Sequence, residues 1–253
     1  MHLYQALTHR WAVLGKLAFM TLAISLALPA TANMVVYPMS STIGAEQDGI
    51  GQIQLHSKSD KVQYIKVNVT QIQRPGTPDE HESPLSPADA LGIVVSPQRT
   101  VLAPGASRTI RIIAQAIPSE ETVYRVYFEP VAAPGLAEED DSGPDGVKPR
   151  IGVNLIWGAL VRLLPDERRT SLKLQPKGNE LRNDGTLRVG VLQVGRCADV
   201  QGEKDCIWND VNRSLYPGST LPVSTPGANG NVLVRFVTSD DKRPRTLTVT
   251  PES

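Results

Sequence analysis

Four histidines and two cysteines are the only imidazoles and thiols among the 253 residues, and their placement decides which chemistry the chain can support. His2 and His9 precede an apolar leader, which leaves His56 and His81 for any hydrolytic or metal-binding role. Neither belongs to a His-x-x-x-His, Cys-x-x-Cys or Gly-x-Ser-x-Gly pattern, and no P-loop or dinucleotide glycine pattern is present. Both read as solvated surface histidines, His56 at a strand end and His81 in a Pro- and Glu-rich loop. The acidic run Glu138-Glu139-Asp140-Asp141 lacks the spaced glycine and oxygen ladder of a calcium loop and reads as a solvated loop. Nothing here is catalytic, and no metal or cofactor is implied. Cys197 and Cys206 lie close together. In an exported chain the default for such a pair is a local disulfide, contributing about 2–3 kcal/mol.

Export is read from the first 32 residues. Arg10 and Lys16 form a basic region, Leu17 to Leu28 is apolar apart from Thr21 and Ser25, and Ala30-Thr31-Ala32 supplies small residues for cleavage before Asn33. That is the secretory signal pattern, too short to span a bilayer, and no other stretch reaches membrane length. Cleavage would leave 221 of the 253 residues, enough for two domains or one large all-β unit. Taking the two basic residues of the leader from the 26 in the chain leaves 24 against 26 acidic ones. This balance gives no support for nucleic acid or an anionic membrane as partner.

The elements are strands throughout. Met34 to Ile43 is extended and broken by Pro38, which suits an edge. Ile50 to His56, Val62 to Ile72 and Thr122 to Val131 alternate, and two more strands flank the Pro104-Gly105 turn. Gln73 to Pro87 reads as a loop. After Pro165, the best domain boundary, Thr170 to Leu174, Glu180 to Arg182, Leu187 to Val194, Asn231 to Thr238 and Arg245 to Thr250 read as short strands. Two sandwiches in tandem are expected, with the domains at 33–164 and 165–253 after a signal at 1–32.

One stretch stands apart. From Ile151 to Leu163 the odd positions Ile151, Val153, Leu155, Trp157, Ala159, Val161 and Leu163 form a continuous apolar row, while the other face holds Gly152, Asn154, Gly158 and Arg162 among others. The long acidic segment Ala132 to Pro149 feeds it. A row of this kind is either buried along its whole length or left accessible at its start for another chain.

Pro97, Leu102, Pro104-Gly105 and Ile110-Arg111-Ile112 resemble the first domain of the PapD-like periplasmic pilus chaperones. Val36-Tyr37-Pro38, Gln63-Tyr64-Ile65-Lys66, Arg74-Pro75-Gly76-Thr77, Val123 to Glu129, Val153-Asn154, Ala159-Leu160, Arg162, Leu164-Pro165 and the Cys197/Cys206 pair resemble its alternate class, which serves fimbriae of the colonisation-factor and cable-pilus kind. The resemblance covers nearly the whole exported chain. It implies two immunoglobulin-like β-sandwich domains in an L-shaped arrangement and a periplasmic location. It also implies pilin subunits and an outer-membrane usher as partners. The strand after the long loop would lend Ile151, Val153 and Leu155, with Trp157 as a fourth, to an incomplete pilin by donor-strand complementation. Burying three such side chains yields about 5–9 kcal/mol gross, reduced by ordering and association.

Many members of that family hold the pilin's C-terminal carboxylate with an Arg on the first strand and a Lys on the donor strand. The matching positions fall near Ser40-Ser41 and Leu160, none of them basic. Arg125 and Arg162 are the candidates to replace them, and Arg162 is equally placed to cap the domain junction near Asp166. Self-association of the free chaperone is a natural response to an exposed edge. The alternative class, a structural fimbrial subunit or adhesin with tandem immunoglobulin-like domains, would carry its own alternating N-terminal extension, whereas here the alternating row is internal.

Overall fold

The computed structural model describes residues 33–85, 92–133, 155–175, 180–196, 206–223 and 232–249. In chain order the first strands are β1 (Met34–Tyr37), β2 (Ser40–Ile43), β3 (Ile50–Ser57), β4 (Gln63–Gln73) and β5 (His81–Pro84). They are followed by β6 (Ile93–Ser96), β7 (Arg99–Leu102), β8 (Ser107–Ala114), β9 (Thr122–Val131) and β10 (Trp157–Leu163). β1-β3-β8-β6 form one sheet; β2-β10-β9-β4-β5, with β7 also on β4, form the sheet facing it. Period-two burial explains the packing: Ile53 and Leu55, Ile110 and Ile112, Val126 and Phe128, and Val161 and Leu163 alternate inward to one core between the sheets.

Pro38 does more than break an edge. Tyr37 and Pro38 are joined by a cis peptide, β1 lies on the edge of the first sheet, and β2 on the edge of the second. What reads as one extended segment therefore changes sheets. Ser96-Pro97, also cis, divides β6 from β7 in the same way, so three strands stand where two flanking Pro104-Gly105 were expected. The expected loop at 73–87 contains β5, which pairs with the tail of β4 from Thr70 to Gln73; His81 accordingly opens a strand rather than lying in a loop.

The second group is β11 (Leu172–Leu174), β12 (Glu180–Asn183), β13 (Val189–Arg196), β14 (Ile207–Leu215), β15 (Thr220–Pro222), β16 (Val232–Thr238) and β17 (Arg245–Val249). A sheet ordered β11-β12-β15 faces one ordered β14-β13-β16-β17, and Leu174, Leu181, Val189, Val191, Val234 and Phe236 lie in the core between them. β14 and β15 are not foreseen from residue order. β14 is polar and irregular, with Asn212 in the left-handed region (φ 49°) and a bulge opposite β13. The acidic run at 138–141 and the leader lie outside the described residues. Cys206, just ahead of β14, is disulfide-bonded; Cys197 also lies outside them. Among the described residues no helix is long and apolar enough to cross a membrane.

A third, smaller apolar cluster joins the two sandwiches: Ile72 of β4 and Val123 of β9 pack with Tyr216, and Leu160 of β10 leans on them. Beside it Gly76 (φ 76°) brings the turn after β4 so close that a β-carbon there would stand 3.2 Å from the Ser214 carbonyl and 3.3 Å from the Tyr216 ring.

Candidate functional site

β10 is paired along its full length on one side only. With β9 it is in register from Trp157 opposite Phe128 to Leu163 opposite Thr122. With β2 the parallel pairing begins at Leu160 opposite Ser40, where the Leu160 N–H donates to the Met39 carbonyl at 2.9 Å. In a strand, successive residues present their backbone groups to opposite sides. Leu160 and Leu164 both donate toward the β2 side, Leu164 to the Ile43 carbonyl at 2.8 Å. By the same alternation Gly158, ahead of β2's pairing, turns its N–H and C=O to an edge that no described strand covers. Unpaired strand edge is a template for another strand.

The side chains tell the same story. Ala159, Val161 and Leu163 have no exposure. Trp157 is half-buried against the same core. Leu155 is 50 % exposed. The apolar row thus runs out of its own sandwich at Trp157, and Leu155 stands half in solvent. Ile151 and Val153, the earlier members, lie outside the described residues.

Ser40, Leu160 and Arg125 are register neighbours across β2, β10 and β9. Both arginine candidates therefore flank Leu160, but their surroundings differ. Arg125 Nη1 meets Glu82 Oε1 at 2.9 Å. The Glu82 carboxylate also accepts the Tyr127 hydroxyl at 2.8 Å and the Thr70 hydroxyl at 2.7 Å. Burial, and after it the bond to Glu82, push the Tyr127 hydroxyl above its ordinary pKa. Gly158 makes room for this group, since a β-carbon there would stand 3.0 Å from Arg125 Cδ and 3.1 Å from Tyr127 Cε1. Arg125 is thus held by a carboxylate of its own.

Arg162 Nη1 donates to Ser40 Oγ at 2.9 Å. Its nearest carboxylate is Glu121, not Asp166: Nε stands 3.8 Å from Glu121 Oε1, beyond hydrogen-bond range, and is buried without a hydrogen-bond partner. Glu121, whose side chain is fully buried, accepts the Arg188 N–H at 2.7 Å and the Ser239 hydroxyl at 2.8 Å. Burial raises its pKa, against those hydrogen bonds and the arginines. Nothing in the sequence marks Glu121 as buried: it follows Ser119-Glu120 in a short polar run. Among the described residues no group of three or more His, Cys, Asp or Glu is arranged to hold a metal.

No family model matches the chain. It is 32% identical over 205 residues to a CFA/I fimbrial protein of Escherichia coli that bears a subunit name, an alignment spanning 80% of this chain and 84% of that protein. The solved structure of the class 5 fimbriae chaperone CfaA matches with a TM-score of 0.71 at 30% identity, over 87% of this chain and 100% of that one. A chain from a structure described as a chaperone–tip adhesin complex vital for synergistic activation of CFA/I fimbriae biogenesis matches with the same TM-score, identity and coverage.

Proposed function

This chain belongs to the class 5 fimbrial chaperones, and we propose that it holds fimbrial subunits for pilus assembly along the uncovered edge of β10. The observation that carries this is the emergence of the apolar row: buried at Ala159, half-buried at Trp157 and half-exposed at Leu155, beside a backbone edge left open ahead of Leu160. A subunit strand laid on that edge gains backbone hydrogen bonds. An unfinished subunit core receives Ile151, Val153 and Leu155, with Trp157 shared between guest and host. A guest running parallel to β10 occupies the track that β2 takes over at Ser40, so its C-terminal carboxylate arrives beside Ser40 and Leu160.

Of the two arginines there, Arg162 is the better anchor. Arg125 is already matched by Glu82 at 2.9 Å, whereas Arg162 has only a hydroxyl on Nη1 and a distant carboxylate. We place the domain boundary at Leu164-Pro165 and pair Cys197 with Cys206 as a staple of the second domain. Residues 1–32 are read as an export signal and the periplasm as the working compartment, with an outer-membrane usher receiving the loaded complex. A fimbrial subunit is the competing reading, supported by the name of the Escherichia coli relative. Against it stand two sandwiches that each bury their own core and an alternating row that is internal. The test is co-expression with a fimbrial subunit: the subunit should become soluble and co-purify with the chain. A subunit that stays insoluble, or folds equally well alone, would rule the reading out.

A further inference from the structure

The junction between the sandwiches gathers more positive charge than its own carboxylates match. Arg162 comes from β10, Arg188 from just ahead of β13, and Lys242 from the turn between β16 and β17. Arg188 spends its backbone N–H on Glu121 and its Nε on Ser214 Oγ at 2.8 Å. Lys242 is exposed and gives Nζ to the Thr238 carbonyl at 3.2 Å, next to Ser239, whose hydroxyl bonds the same Glu121 oxygen that Arg162 faces. The carboxylates in reach are Glu121, fully buried, Asp240, which accepts the Thr238 hydroxyl at 2.6 Å, and Asp241, which is taken up by Arg243 at 3.0 Å. Although the residue as a whole is exposed, desolvation of its ammonium end, followed by repulsion from Arg188 and Arg162, pulls Lys242 below its ordinary pKa; Glu121 and Asp240 offset this only in part. An anion is the ligand that such a field takes.

We propose that Lys242 is the second sandwich's contribution to the seat of the guest's terminal carboxylate, acting across the junction from Arg162. The inference rests on the strand-lending reading above, which brings a chain terminus to Ser40. The ammonium has three donors and one is committed to Thr238, so it can turn to a carboxylate without breaking a buried contact. The seat is then built from both sandwiches.

The test uses the full chain co-expressed with a fimbrial subunit in two forms, one with its natural C-terminus and one extended by two glycines that move the carboxylate. Lys242→Ala should speed dissociation of the natural-ended subunit about three- to tenfold, the scale of one charge-assisted hydrogen bond at a partly exposed site. It should leave the extended subunit unchanged, and Lys242→Arg should restore retention. Equal loss for both forms, or no loss for the natural one, would overturn the role of Lys242. Failure of the unmutated chain to retain either form would instead overturn the strand-lending reading, and this inference with it.

Discussion

Glu121 and Arg188 join the two sandwiches through a hydrogen bond whose acceptor has no access to solvent, the Arg188 N–H reaching Oε2 at 2.7 Å while Ser239 takes Oε1. Glu121→Ala would strand both donors and is expected to cost about 2–4 kcal/mol. Glu121→Gln keeps an acceptor and removes the buried charge. Because burial raises the pKa of Glu121 in the folded state, the folded chain holds this proton more tightly than the unfolded one. Its contribution therefore declines as pH rises from the unfolded value through the folded one. Thermal melts across pH 4–8 should show the parent losing ground to Glu121→Gln over that window and keeping a constant gap above it; the opposite trend would mean the carboxylate is favoured by its site.

The β10 row should respond in opposite ways along its length. Val161→Asp places a charge at a position with no exposure and should prevent folding. Leu155→Asp combined with Val153→Asp should leave the melting curve within about 1 kcal/mol of the parent and abolish co-purification of a fimbrial subunit. Retention of the subunit by the double variant would remove the donor row from the mechanism.

Arg162→Ala is expected to weaken retention of a guest subunit by about tenfold, the scale of one charge-assisted bond, measured as dissociation rate. Arg125→Ala should act elsewhere. It frees Glu82, leaving that carboxylate to Tyr127 and Thr70, and loosens β5 by at most about 1 kcal/mol, since the pair is roughly a third exposed. Stronger loss of subunit with Arg125→Ala than with Arg162→Ala would reverse the assignment.

Cys197→Ser should lower the melting temperature of the second sandwich, by an amount worth about 2–3 kcal/mol, with little change in subunit retention. A comparable loss in both would put the subunit surface on the disulfide loop.

Much of this arrangement is legible from residue order. The alternation that buries Ala159, Val161 and Leu163 is visible as a period of two, and it fixes the side on which Leu155 emerges. The hidden parts are those where a partner element decides. β5 lies in a Pro- and Glu-rich stretch and is a strand because the tail of β4 offers it an edge. β14 is polar because one of its faces is solvated, and its bulge breaks the period. Pro38 shows as a break, but nothing local says that the two pieces belong to different sheets. Glu121 is buried only because the second sandwich closes over it.

If a guest strand lies on the β10 edge as proposed, the hand-over at Ser40 would act as a ruler. A strand advances about 3.3 Å per residue, and the Leu160 N–H is already bonded to Met39, so an incoming chain finds a backstop at a fixed step along β10. A tail too long by even one residue must buckle or leave its register, and one too short stops shy of the charges at the junction. Length, as much as sequence, would then be what the open edge of β10 measures.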